Sequence, residues 1–286
     1  MKIILAFFLL LCTHNLAFAQ AKKNEFEFVN YLIGKELYED ASFVLTKLIQ
    51  QNSDPNVQDS SNFLLGHINF SQKKLSTALL HFDLVGNRIE PLHTQAVFFG
   101  ALSNSYLKDY SAASTKLNNL NSTDNHIDQL KILELASINL LDRDFTRHDS
   151  LSQLLDSTNY LIGPTAQNLE FNKNKLLSIK GKSSFKAALL SALVPGAGRM
   201  YVEKPGQGIY QLIIAALLGM QTWEGHKKDG VRSARFIIYG TLFTSFYIGN
   251  IWGSALGVKI YKNEINETVD NAILMDMHIP LRKIFR

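Results

Sequence analysis

The residues best suited to chemistry are the eight histidines and a short Asp-His-Ser cluster. The histidines show neither an HExxH motif nor a paired spacing on one helix, so they do not predict a metal site. Asp144, His148 and Ser150 have the residue types of a catalytic triad. Because consecutive solvent-exposed positions on one helix give the same spacing, we predict no catalytic residue, no metal ligand and no enzyme.

The glycine and basic residues do not predict a nucleotide or nucleic-acid site. Gly196-Ala197-Gly198 lacks the third glycine and the preceding strand of a dinucleotide fingerprint. The basic residues lack the interleaved aromatic side chains of a nucleic-acid groove. We therefore predict no cofactor and no nucleic-acid partner.

The elements that must position these residues begin after residues 1–19, a predicted secretory signal peptide. Ile3–Cys12 is an almost unbroken apolar run, and Ala17-Phe18-Ala19 fits the small-x-small cleavage pattern. An uncleaved anchor is the alternative, but a span needs about 20 residues. Cleavage leaves a mature chain without cysteine and therefore without disulfides.

Charge divides the remaining chain into two halves. Residues 24–160 contain 10 Lys/Arg against 17 Asp/Glu, whereas residues 161–286 contain 16 against 8. The basic residues surround the most apolar stretches, so the pI near 9.0 does not imply nucleic-acid binding.

The acidic half repeats one frame four times, at steps of 37, 35 and 35 residues. A small residue is followed by a bulky one after nine positions, an alanine after three more and an apolar residue after another four. The best matches are Gly66, Leu75, Ala78 and Phe82, and then Ala101, Tyr110, Ala113 and Leu117. The first unit has Val29 at the small position, and the fourth departs at His148 and Ser152. The spacing predicts two antiparallel helices per unit.

This frame resembles the tetratricopeptide repeat, whose units are about 34 residues long. The resemblance implies a curved solenoid that binds a protein on its concave surface and has no chemistry of its own. Helical hairpins of another repeat type are the alternative. The acidic face favours a basic partner segment.

The basic half contains two uncharged stretches, Ile209–Trp223 and Phe236–Val258, that predict membrane-spanning helices. Gly249, Gly253 and Gly257 add the small-xxx-small spacing of helices packed in lipid. A buried soluble hairpin is the alternative. A Pro-Gly-x-Gly-x-x-Tyr motif precedes them at Pro195, Gly196, Gly198 and Tyr201, followed by Gly206 and Gly208.

With Asn250, Ile251 and Ala255 further on, this motif resembles the two-transmembrane-span membrane domain family, including bacterial relatives of uncharacterised function. Arg199 stands where the family often has Gln, and Gly253 replaces its usual Asp. The resemblance covers about residues 185–262 and implies membrane residence without a known reaction.

We therefore predict an all-α protein, a tetratricopeptide-like helical-hairpin solenoid followed by a helical transmembrane domain. The predicted parts are a signal peptide (1–19), repeats (24–160), a linker helix (161–184), a membrane domain (185–262) and a tail (263–286). The signal peptide places the repeats in the periplasm of a Gram-negative bacterium, anchored in the inner membrane. Charge counting does not decide between two crossings, with the loop 224–235 in the cytoplasm, and three through residues 186–201.

The predicted function is a scaffold that binds another protein in envelope assembly, with membrane lipid as a second contact. The alternative is a small membrane module that acts on lipid or transport, with accessory repeats. Intramembrane ionisable residues would favour that alternative, and both long stretches lack them. The sequence leaves homo-oligomerisation open.

Overall fold

A computed structural model describes residues 24–285, so the predicted signal peptide lies outside the described residues. The regular elements within that range are all helices, which confirms the all-α prediction. Two compact units are present. Unit 1 contains residues 24–166 and 274–285, and unit 2 contains Gln167–Ile273.

Unit 1 is built from helices that follow one another at short turns. They are α1 (24–34), α2 (Tyr38–Gln51), α3 (Pro55–Ser71), α4 (Leu75–Asp83), α5 (Glu90–Tyr106), α6 (Tyr110–Asn118), α7 (Asn125–Leu141) and α8 (Phe145–Ser152). Each helix from α2 to α7 packs against the next one in the chain, and α3 also packs against α5. This neighbour-to-neighbour packing is typical of helical-repeat proteins.

The turn inside each hairpin has the same backbone geometry. Its central residue has a φ between 60° and 65°, at Glu36, Lys73, Lys108 and Arg143. The Lys108 N–H donates to the Ser105 carbonyl at 3.1 Å, and the Asp109 N–H donates to the Asn104 carbonyl at 2.9 Å. The other three turns make the equivalent pair of bonds, which defines a Schellman motif. The four turns recur at the steps of the predicted repeat.

The frame residues lie between paired helices. Ala78, Ala113, Phe82, Leu117 and Ala101 are buried, while Leu75 and Tyr110 are half-buried. At Gly66 a Cβ would lie 2.5 Å from the Phe82 ring, so α3 and α4 approach too closely for a side chain there. In the fourth unit His148 replaces the alanine, is fully buried, and places Nδ1 2.9 Å from the Ala136 carbonyl oxygen.

Unit 2 contains most of α9 (Gly163–Lys180), then α10 (Ser184–Leu193), α11 (Ala197–Tyr201), α12 (Pro205–Asp229) and the greater part of α13 (Ala234–Ile284). The predicted linker helix corresponds to α9. The predicted tail from residue 263 instead continues α13, and its last residues belong to unit 1. The predicted loop 224–235 is reduced to residues 230–233 between helices.

The two stretches predicted to span a membrane lie in unit 2. Ile209–Trp223 and Phe236–Val258 are helical, within α12 and α13. However, within residues 24–285 the structure contains no helix that is both long and apolar enough to cross a membrane. Uncharged polar residues such as Gln211, Gln221 and Asn250 lower the hydropathy of these stretches.

Candidate functional site

The Pro-Gly-x-Gly-x-x-Tyr motif forms the turn after α10 and the whole of α11. Gly196 has a φ of 86°, and a Cβ there would collide with the Gly208 carbonyl oxygen. A Cβ on Gly208 would in turn lie 2.6 Å from the Gly196 oxygen. Both positions therefore require glycine, one for its backbone conformation and both for the close approach of the turn to α12.

A buried polar cluster holds this turn. The Ser191 hydroxyl accepts a hydrogen bond from the Gly198 N–H at 2.9 Å and donates to the Ser254 hydroxyl at 2.7 Å. The Asn250 side-chain oxygen accepts from the Gly196 N–H at 3.2 Å. These bonds connect α10 and the motif to α13, because Asn250 and Ser254 lie one turn apart on that helix.

Tyr201, the last residue of the motif, anchors the start of α10. Its hydroxyl accepts from the Ser183 N–H at 3.2 Å, and its carbonyl accepts from the Lys182 ammonium at 2.8 Å. The ammonium also lies 4.9 Å from the ring centroid, within cation–π range. A Cβ at Gly206 would meet open space, so that glycine is not part of the close contact. The motif organises the fold and supplies no reactive group.

Arg199 lies against two glycines of α13. Its guanidinium nitrogens lie 3.2 Å from the Cβ position of Gly253 and 2.8 Å from that of Gly257. These glycines accommodate a side chain rather than a second apolar helix.

No protein-family model matches the chain, and no curated protein or solved structure matches it either. No family is assigned. The tetratricopeptide and two-span resemblances rest on the residues quoted for them.

A second site lies in unit 1, where residues 274–285, here called the C-terminal segment, pack against the repeats. Phe70 lies 5.6 Å from His278, and Phe98 lies 5.6 Å from Phe285, measured between ring centroids. The C-terminal segment and the repeats line a cavity of about 760 Å³ that is open to solvent. Its lining residues are His67, Phe70, Ser71, Lys73, Leu75, Phe99, Tyr106, His278, Leu281, Arg282 and Phe285.

The two cavity histidines are held neutral. Burial, and then the nearby His278, lowers the pKa of His67 to about 4. Burial, and then Arg282, lowers the pKa of His278. Burial raises the pKa of Tyr106. At neutral pH the charged groups at this cavity are therefore Lys73 and Arg282.

Sequence reasoning missed this cavity. His67 and His278 belong to different halves of the chain, and His278 falls in the predicted tail. A pairing rule for histidines on one helix cannot detect two that meet only through tertiary packing. Asn69, Asn104 and Asn139 recur at the repeat steps. That signal was present in the sequence, and it marks the carbonyl acceptors of the hairpin turns.

Proposed function

We propose that this protein is a membrane-attached helical-repeat scaffold, with unit 2 in the inner membrane and the periplasmic repeats binding another protein. The observation that carries the membrane part is the apolar surface of unit 2. Ile213 and Leu217 on α12, and Ile238 and Trp252 on α13, are each at least half exposed. Exposed apolar surfaces of this extent are found at membrane or protein interfaces.

Further large apolar side chains extend this surface along the same helices. They are Ile209, Tyr210, Met220 and Trp223 on α12, and Ile237, Leu242, Ile248, Leu256 and Ile260 on α13. Burial in lipid would remove each of them from water, which contributes about 25 cal/mol for each Å² of apolar area. This favours attachment through the α12–α13 hairpin.

The protein-binding part rests on the repeated hairpins of unit 1. Helical arrays offer an extended surface for a polypeptide, and several apolar residues of these repeats are exposed, including Phe43 and Leu80. A photocrosslinking amino acid at either position in intact envelopes should capture a polypeptide. Recovery of lipid alone would contradict the scaffold and favour the alternative of a membrane module acting on lipid or transport.

Membrane attachment is tested by carbonate washing of cell envelopes. The full chain should remain in the membrane pellet. Ile213→Lys/Leu217→Lys should move it towards the soluble fraction, because two ammonium groups would have to enter the apolar contact. Leu80→Lys/Leu84→Lys is the matched control, since these exposed apolar residues lie on the repeats. Release of the unmodified chain by carbonate would contradict membrane attachment.

A further inference from the structure

The cavity between the repeats and the C-terminal segment combines aromatic walls with hydrogen-bond donors. Phe70 and Phe99 lie 5.7 Å apart, and His67 lies 4.3 Å from Phe99 between ring centroids. Its volume of about 760 Å³ falls within the range of small-ligand pockets, roughly 300–1,000 Å³. These rings contact one another and form one aromatic wall, so an apolar body of moderate size can pack against that wall.

The donors around this cavity have no partner within the part of the chain that the structure describes. Lys73 and Arg282 form no ion pair with a residue of that part. The imidazole nitrogens of His67 and His278 likewise form no hydrogen bond with residues 24–285. Half-buried polar groups are normally satisfied, so the two imidazoles point to a ligand that accepts hydrogen bonds, and the exposed Lys73 and Arg282 add positive charge beside them.

The charge at this position is opposite to that of the surrounding repeats. Residues 24–160 carry an excess of acidic side chains. Among the described residues that line the cavity, however, none is acidic, and two carry a positive charge. An anion bound there therefore meets two cations and no acidic side chain of the lining.

We propose that this cavity binds a carboxylate that carries an aromatic or aliphatic body. The body packs against the wall formed by Phe70 and Phe99, and the carboxylate accepts hydrogen bonds from Arg282 and Lys73. The same chemistry is offered by a free carboxylic acid and by the C-terminal residue of a polypeptide. The site does not depend on the proposed scaffold function.

The groups that face the bound anion from each wall set its pH dependence. They are His67 from α3, Lys73 from the turn after it, Tyr106 from α5, and His278 and Arg282 from the C-terminal segment. A carboxylate among them favours the protonated form of His278, so binding should strengthen as pH falls from 8 to 6, while His67, with a pKa of about 4, stays neutral. A neutral ligand of the same shape should not show this trend.

The test uses the purified full chain with 3-phenylpropionate and its amide, followed by isothermal titration calorimetry. The acid should bind at least about tenfold more tightly than the amide, because a charge-assisted hydrogen bond is lost in the amide. Arg282→Gln should remove most of that preference. Lys283→Gln is the matched control, since Lys283 is the exposed neighbour that does not line the cavity.

Two peptide arms identify the source of the carboxylate. A short peptide ending in phenylalanine with a free C-terminus is compared with its amidated form. Tighter binding of the free-acid peptide than of 3-phenylpropionate indicates a polypeptide C-terminus, and the reverse order indicates a free acid. Either order of affinity supports the proposed carboxylate site. Equal affinity for acid and amide, or an Arg282→Gln variant that keeps the full preference, would overturn it.

Discussion

Glu134 on α7 is a carboxyl group that is almost completely buried, and neither of its oxygens has a hydrogen-bond partner among the described residues. Burial raises the pKa of Glu134 well above its ordinary value. One repeat step earlier the corresponding residue is Phe99, which is apolar. An unpaired buried polar group costs about 1–3 kcal/mol. Glu134 therefore lowers the free energy of unfolding, because its carboxyl is buried without a hydrogen-bond partner in residues 24–285.

The pH dependence of this weakening has a definite sign. Because the pKa is raised in the folded state, the folded chain holds a proton that the unfolded chain releases, and stability falls as pH rises above about 4. Glu134→Met should therefore stabilise the protein most at pH 8, with the gain shrinking towards pH 4. Urea unfolding at several pH values measures this, and the exposed Glu90→Gln serves as the control. Parallel curves for Glu134→Met and the parent would contradict it.

Lys108 has a φ of 64°, a left-handed conformation in which a Cβ is unfavourable. Lys108→Gly should raise the free energy of unfolding by about 0.5 kcal/mol. Glycine relieves the backbone strain of the folded state, and this gain is larger than the loss caused by the greater conformational freedom of the unfolded chain. A lysine-to-glycine substitution inside a helix should instead lower the free energy of unfolding. Lys47→Gly, at an exposed position of α2, should lower stability by about 1 kcal/mol. Urea unfolding of both variants measures these changes. If both substitutions changed the free energy of unfolding in the same direction, the strain at Lys108 would be contradicted.

At the scale of elements, the glycines near the α10–α11 turn differ in what surrounds them. Gly208→Ala would place a Cβ 2.6 Å from both the Gly196 oxygen and a Met200 side-chain carbon, so the turn must shift away from α12. We expect a loss of about 1–3 kcal/mol, as for other overpacked sites. Gly206→Ala, with open space around its Cβ, should not destabilise the protein. Thermal unfolding compares them, and equal melting temperatures would contradict the assigned contact.

The sequence predicted the positions of these helices better than it predicted what surrounds them. The repeat steps follow from periodicity and the long helices of unit 2 from uncharged stretches, and both are local properties of the chain. The purpose of individual glycines was harder to predict. Gly253 and Gly257 fit a helix-packing pattern, yet Arg199 lies over them. A spacing rule reports which residues are small, but not which side chain uses the space.

At the scale of the molecule, unit 1 is completed by a segment far away in sequence. Met277 and Leu281 of the C-terminal segment are fully buried, whereas Met275 is exposed. Met277→Ala should lower the free energy of unfolding by about 2–5 kcal/mol, and Met275→Ala should change it little. Thermal unfolding of the full chain measures both. Similar effects of the two substitutions would show that the segment does not complete the core.

The sequence by itself determined the helical class, the repeat steps and the apolar character of α12 and α13, because each depends on residues close together in the chain. The tertiary structure alone decided that His67 meets His278, that Asn250 holds the Gly196 turn, and that the C-terminal segment belongs with the repeats. These contacts join residues more than fifty positions apart. They depend on which surfaces remain to be buried once the helices have formed, and no local pattern records that choice.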